Sequence, residues 1–309
     1  MRRPRPFITV LLLLAACASP DGPGVAPGES ATSASTLERR YEDGEVFRYV
    51  MTGTNQHGER TRSYSAECEV HVVRGEDGVF REEVRWTRLE VDGREVELGT
   101  AGGEDRAPHQ VLSLDPAFTL TLPALAGVPP FLIGPILDLM TIYVDLHRNL
   151  HQGRLQRSGD HAFVPHGAPN SWADGTRIVL GQDCIDFDLT LERADPSGAE
   201  LVVRHVPPER SSVQLPAAWM QEPVGARPNN WVQATKVSEG EAPSYVAAVG
   251  QESFEVRIVV AAPSNRIVRA TLDNPVDVVE RRCSDLAFTK CDEAVRYRIQ
   301  RVIELRAVE

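Results

Sequence analysis

The stretch Thr61-Arg62-Ser63-Tyr64-Ser65-Ala66-Glu67-Cys68-Glu69-Val70-His71-Val72-Val73-Arg74 decides the fold class. Tyr64, Ala66, Cys68, Val70 and Val72 fall on one face, while serines, glutamates and His71 fall on the other. A period of two belongs to a β-strand with one face buried. The pattern extends in both directions. Phe47, Tyr49 and Met51 oppose Val46, Arg48, Val50 and Thr52 upstream, and Asn55-Gln56-His57-Gly58 reads as a turn. Gly75-Glu76-Asp77-Gly78 is a second turn, and Val79 to Val91 a third long strand. Asp92-Gly93 then opens a fourth strand through Leu98, the signal of a type I′ hairpin. This is a meander of long antiparallel strands with one buried face.

The middle of the chain breaks the pattern. Gly99 to Arg106 is a polar loop, and no residue from Ala117 to Leu137 is charged. Pro123, Pro129, Pro130 and Pro135 argue against a membrane-spanning helix, because interior prolines lose a hydrogen bond and clash. The reading is an apolar loop followed by a helix that starts near Pro135, a favoured first-turn position. Ile136, Leu139, Met140, Tyr143, Leu146 and Leu150 recur at three and four residues. Asp138, Thr141, Asp145, Arg148, Asn149 and Gln152 take the opposite face, which makes the helix amphipathic, with Gly153 as its stop. Ser158 to Gly175 reads as a Gly- and Pro-rich loop.

Strands then return. Ile185, Phe187, Leu189 and Leu191 alternate with acids and threonine, and Asp195-Pro196-Ser197-Gly198 turns back into Glu200 to Val206. Phe254, Val256, Ile258 and Val260 alternate again, and Val295, Tyr297, Ile299, Ile303 and Leu305 share one face of the last strand. The expected fold is α+β and mostly β: a large, highly curved antiparallel sheet packed on one central amphipathic helix. It forms a single domain over residues 41–309, with the helical and loop segment at about 100–175.

The 309 residues carry a formal charge of −11, with 42% apolar and 25% charged side chains. That balance is globular, and an acidic chain lacks the basic excess of a nucleic-acid binder. At the N-terminus, Arg2, Arg3 and Arg5 precede the apolar run Phe7 to Leu14, the layout of a secretory signal over residues 1–16. Leu14-Ala15-Ala16-Cys17 resembles the lipobox of bacterial lipoproteins. The resemblance implies that Cys17 becomes the acylated N-terminus, followed by a flexible tether to residue 40 that is rich in Ala, Ser, Pro and Gly. With Ala18 rather than Asp after the cysteine, it points to the periplasmic face of the outer membrane. The membrane partner is then reached through acyl chains, two of which anchor stably.

Four further cysteines remain in an exported chain, where disulfides are permitted. Cys283 and Cys291 flank a short polar loop and are the expected pair. Cys68 falls on the apolar face of its strand and Cys184 on the polar face of its own, which argues against joining them. No cofactor is expected, because neither a phosphate-binding glycine motif nor C-x-x-C is present. No G-x-S-x-G elbow appears either. His147 and His151 are spaced to share a metal ion, yet Arg148 lies between them and no glutamate supplies a base, so no metal is assigned. Asp183, Asp186 and Asp188 read as solvated acids on a strand, and the loops around Trp172 and Asn229-Asn230-Trp231 as sheet ends.

With the lipobox, the long antiparallel strands, the helix and the uncharged Ala117–Leu137 segment together, the architecture resembles lipid-carrier lipoproteins of the LolA/LolB and LppX/LprG type. In those families an incomplete barrel surrounds an apolar cavity. The resemblance implies a non-catalytic envelope protein that binds a lipid or other hydrophobic ligand, with Leu132, Ile136, Leu139, Met140 and Tyr143 lining the cavity. The competing expectations are an envelope scaffold whose helix is ordinary core, and a hydrolase with a histidine-based metal site.

Overall fold

The computed structural model describes residues 37–98, 109–121, 128–153, 155–165, 170–173, 177–182, 186–206, 209, 215–237 and 244–308. The signal segment, Cys17, most of the tether, Cys184 and the Gly99–Arg106 loop lie outside the described residues. The strands in chain order are β1 (Val46–His57), β2 (Arg60–Arg74), β3 (Phe80–Val91), β4 (Arg94–Glu95) and β5 (His109–Leu112). Helix α1 (Pro130–Arg148) runs into a π-helical turn (Asn149–Gly153). Then come β6 (His161–Val164), β7 (Asn170–Ala173), β8 (Arg177–Gln182), β9 (Asp186–Asp195) and β10 (Gly198–Val206). A short helix α2 (Ala218–Gln221) precedes β11 (Trp231–Lys236), β12 (Tyr245–Glu252), β13 (Phe254–Ala261), β14 (Arg266–Cys283) and β15 (Val295–Val308).

All fifteen strands belong to one antiparallel sheet, curved around α1 as an incomplete barrel. The barrel path is β5-β3-β2-β1-β15-β14-β13-β10-β9-β6. Its two edge strands, β5 and β6, do not pair. α1 packs on β5 and β13, and the π-helical turn continuing it packs on β6, so this one helical segment spans the opening between the edges. Such an arrangement buries an amphipathic helix and a one-faced sheet together. Phe47, Tyr49, Met51, Ala66, Cys68, Val70 and Val72 from the sheet join Leu132, Ile136, Leu139, Met140 and Tyr143 from α1 in one core.

The sheet branches at β14. Its first half pairs with β13 as far as Asp273 opposite Glu255, and its second half pairs with β12 from Val276 opposite Glu252. Strands β12-β11-β8-β7 form the second branch, with a separate core around Met220, Val232, Ala247, Val249 and Phe288. Pro275 sits at the fork, where its missing N–H spares the ladder a donor with no fixed partner strand. Asp92 and Gly93 both have positive φ, +49° and +76°, as a type I′ turn demands. Cys283 and Cys291 are joined by a disulfide.

Several expectations need correcting. β1 runs on through Asn55, Gln56 and His57, so its turn falls at Gly58-Glu59, and the fourth strand covers only Arg94–Glu95. The helix starts at Pro130, not near Pro135, and Pro135 lies inside it. Pro135 is only the sixth helical residue, close to the end where N–H groups lack intrahelical partners anyway. Gly134 before it has no Cβ to crowd the proline ring. The Ser158–Gly175 segment is not all loop: β6 pairs with β9 and β7 with β8. These strands are four residues long, too short for alternation to show in the sequence. Finally, Leu37 and Arg39, near the end of the expected tether, are buried in the fold.

By length and composition Pro130–His151 could cross a membrane. In this structure two-thirds of that window is buried inside the protein.

Candidate functional site

α1 is two-faced, as its spacing predicts, but both faces are covered. Asp138, Thr141, Asp145 and Asn149 recur at three and four residues and are all buried. A buried carboxylate is costly unless something pairs with it. The sheet supplies the partners, and each comes from a strand position in phase with apolar neighbours. Arg301 lies in phase with Ile299, Ile303 and Leu305 on β15, and His205 with Leu201 and Val203 on β10. Two further buried polar residues of the sheet are placed likewise, Glu82 in phase with Val84 and Trp86 on β3, and Asn274 with Leu272 and Val276 on β14.

Around Asp138 the geometry is specific. Tyr64 Oη donates to Asp138 Oδ2 at 2.7 Å, and Arg301 Nη1 lies 3.2 Å from Asp138 Oδ1. Tyr64 gets there by lying across β1 at Gly53, its cross-strand neighbour. A Cβ at Gly53 would overlap the tyrosine ring. Burial pushes the Asp138 carboxyl above the ordinary range, and the Arg301 charge opposes that. Glu252, also buried, is pushed up for the same reason and is likewise opposed by Arg301. Its side chain accepts from Asn274 Nδ2 at 3.3 Å. Asn230 exchanges two hydrogen bonds with the Glu252 backbone, at 2.8 and 3.0 Å, and so closes the fork of the sheet.

Two turns further along α1, Asp145 meets His205 Nε2 at 2.8 Å. The His205 ring stacks on Phe254, with centroids 3.5 Å apart, and meets Phe187 edge-on. Burial pushes the His205 imidazole below its ordinary value, while Asp145 pulls it back up. At the other end of the barrel, Tyr143 Oη donates to Glu82, which also faces Arg39 at 3.5 Å. Burial raises the Glu82 carboxyl, with Arg39 opposing. Asp138, Glu82 and His205 in the barrel and Glu252 at the fork thus have perturbed titration, a frequent mark of functional sites.

The polar residues around Arg301 also include buried atoms with no hydrogen-bond partner among the described residues, Asn55 Oδ1, Asn274 Oδ1 and Arg301 Nε, while Asp138 Oδ1 has the Arg301 ion pair alone. Native interiors pair nearly all such groups, so a cluster of them marks a place where another molecule or water completes the set.

The five expected lining residues, Leu132, Ile136, Leu139, Met140 and Tyr143, are all buried in the main core. Tyr143 differs in that its hydroxyl reaches Glu82. The rings of His147 and His151 come within 4.0 Å of each other, and His147 Nε2 lies 3.3 Å from the Phe118 carbonyl oxygen. Burial, then the neighbouring His151, pushes His147 below its ordinary value. Among the described residues no three His, Cys, Asp or Glu side chains are grouped to hold a metal ion. His161 pairs with Asp188 at 2.7 Å on the outer surface. Asp183 and the side chain of Trp172 lie outside the described residues. Asn229 bonds the carbonyls of Met220 and Glu222, and Trp231 packs in a small core with Val276 and Ile299. Arg301, Asn274, His205, Glu82 and Glu252 were missed as site residues. Their signal was present, since a polar residue in phase with an apolar face must be either buried and paired or functional.

Fold and site define an incomplete antiparallel barrel, bridged at its opening by one helix, with a polar belt inside. No known protein family matches the chain, and no curated protein does. Among solved structures, one described as "Lipid-protein interactions in lipovitellin" aligns over 87% of this chain at 10% identity and a TM-score of 0.38. This chain spans about a quarter of that one (26%). Two structures of MucB with MucA, one of them from Pseudomonas aeruginosa, align over 85% and 86% of the chain at 12% and 14% identity. They cover 89% and 90% of those chains, with TM-scores of 0.14 and 0.16. Likenesses at these scores carry no argument about this chain.

Proposed function

We propose that the chain is a lipid-anchored protein of the bacterial cell envelope that binds a lipid or other hydrophobic ligand inside its barrel, without catalysing a reaction. The observation that carries this reading is the barrel opening bridged by a single helical segment. Displacing α1 alone exposes an apolar interior built from ten strands. Phe131, 49% exposed at the start of that helix, places an apolar side chain in solvent. Leu132, Ile136, Leu139, Met140 and Tyr143 would face the bound chain. The lipobox-like Leu14-Ala15-Ala16-Cys17 supports acylation at Cys17 and residence on the periplasmic face of the outer membrane.

The close burial of those same five residues favours a second reading, an envelope scaffold in which α1 is ordinary core. Native mass spectrometry of the full exported chain, followed by organic extraction, separates the two. A co-purifying lipid, beyond acyl mass on the N-terminal peptide, is the expected result. A chain carrying acyl mass alone favours the scaffold. Unmodified Cys17 overturns the anchor.

A further inference from the structure

Asn55 on β1, Arg301 on β15 and Asn274 on β14 are direct cross-strand partners, so they form one row across three strands on the same face. With neighbouring strands about 4.8 Å apart, the row spans roughly 10 Å. Apolar residues flank it on both sides: Leu272 and Ile303 towards the main core, Val276 and Ile299 towards a smaller one. Asp138 and Tyr64 lie against it from the α1 side.

The polar atoms without partners define what would complete the row. Two are acceptors, Asn55 Oδ1 and Asn274 Oδ1, and one is a donor, Arg301 Nε, while Asp138 Oδ1 already faces Arg301 Nη1. A phosphate or carboxylate only accepts, and it would meet Asp138 and Glu252. An ammonium only donates, and it would meet Arg301. Hydroxyl groups both donate and accept and carry no charge. They also fit whichever way the asparagine amides are turned.

We propose that this belt seats a neutral polyhydroxyl headgroup, such as glycerol, of a lipid whose acyl chain lies against the flanking Leu272 and Ile303. This rests on the reading of the barrel as a hydrophobic-ligand carrier and names the ligand class. Lipid headgroup hydroxyls and buried water share the same hydrogen-bond chemistry, and the experiment has to tell them apart.

The test is a native mass spectrometry titration of the full chain released from detergent micelles. The probes are 1-monooleoylglycerol, methyl oleate and oleylamine. Monooleoylglycerol is expected to bind about fivefold more tightly than methyl oleate, the size of effect that one net hydrogen bond confers. Asn55→Leu is expected to remove that preference while methyl oleate affinity stays the same. Asn55→Ala gives the same readout should leucine perturb the strand. Equal affinity of wild type for the two esters overturns the headgroup assignment and leaves the carrier reading standing; water then fills the belt. Tighter binding of oleylamine, or a preference that survives both Asn55 variants, also overturns it. Failure of all three probes to bind overturns the carrier reading itself.

Discussion

Replacing Arg301 by methionine tests the belt most directly. Arg301 and Asp138 are 13% and 4% exposed at the side chain and lie 3.2 Å apart, so they belong with buried ion pairs rather than surface ones. At an effective dielectric constant of about 20, their attraction is roughly 5 kcal/mol before desolvation is subtracted. Removing one partner leaves the buried Asp138 carboxyl without its counter-charge, a change that costs about 3–5 kcal/mol. With a urea m-value of about 3 kcal/mol/M, Arg301→Met should lower the unfolding midpoint by roughly 1–1.7 M, read by tryptophan fluorescence.

The loss should also depend on pH. Without Arg301, burial raises the Asp138 carboxyl further, so the folded state holds its proton more tightly than the unfolded chain does. Stability then falls as pH rises above the unfolded value of about 4, and the deficit against wild type grows from pH 4 to pH 7. Adding Asp138→Asn keeps an acceptor for Tyr64 Oη and removes the stranded charge, which should bring the loss below about 1.5 kcal/mol. A loss under about 1 kcal/mol for Arg301→Met alone is the behaviour of a surface pair and would refute the reasoning. A double variant as unstable as the single one would refute it too.

Three other expectations come from the same structure. Gly53→Ala puts a methyl group into the Tyr64 ring, so it should destabilise by about 1–3 kcal/mol in urea melts, and Tyr64→Leu in the same background should relieve much of that. His205 is depressed by burial and faces Asp145, Arg148 and Arg301. Its neutral form therefore stabilises above about pH 6.5, and this contribution is lost as pH falls below that. Wild type minus His205→Gln stability should decline between pH 7 and pH 5, and a flat difference would sink the assignment. Breaking the short Cys283–Cys291 loop with paired serines should cost roughly 2–3 kcal/mol, seen as a lower midpoint without reductant and no difference with it.

Much of the fold was legible because a strand's period of two is a local property. The alternation around Tyr64–Val72, the Asp92-Gly93 hairpin and the helical spacing from Ile136 to Leu150 all stand in the structure. So does the curved sheet around one helix. Each of those signals needs only a dozen neighbouring residues. The short strands β6 and β7 gave no such signal, because four residues are held by their partners β9 and β8 rather than by their own pattern.

The candidate site was harder to read. Two of its acids, Asp138 and Asp145, stand on α1, but their partners come from β2, β10 and β15, between 60 and 163 residues away in the chain. By itself the sequence determined which side of each strand is apolar, and that the helix carries one polar and one apolar stripe. Only the tertiary structure decided that the polar stripe faces inward. The barrel leaves a single opening that this helical segment spans, and closing it places both faces of α1 against protein. Asp138 and Asp145 can be buried there only because Arg301, Tyr64 and His205 are brought to meet them.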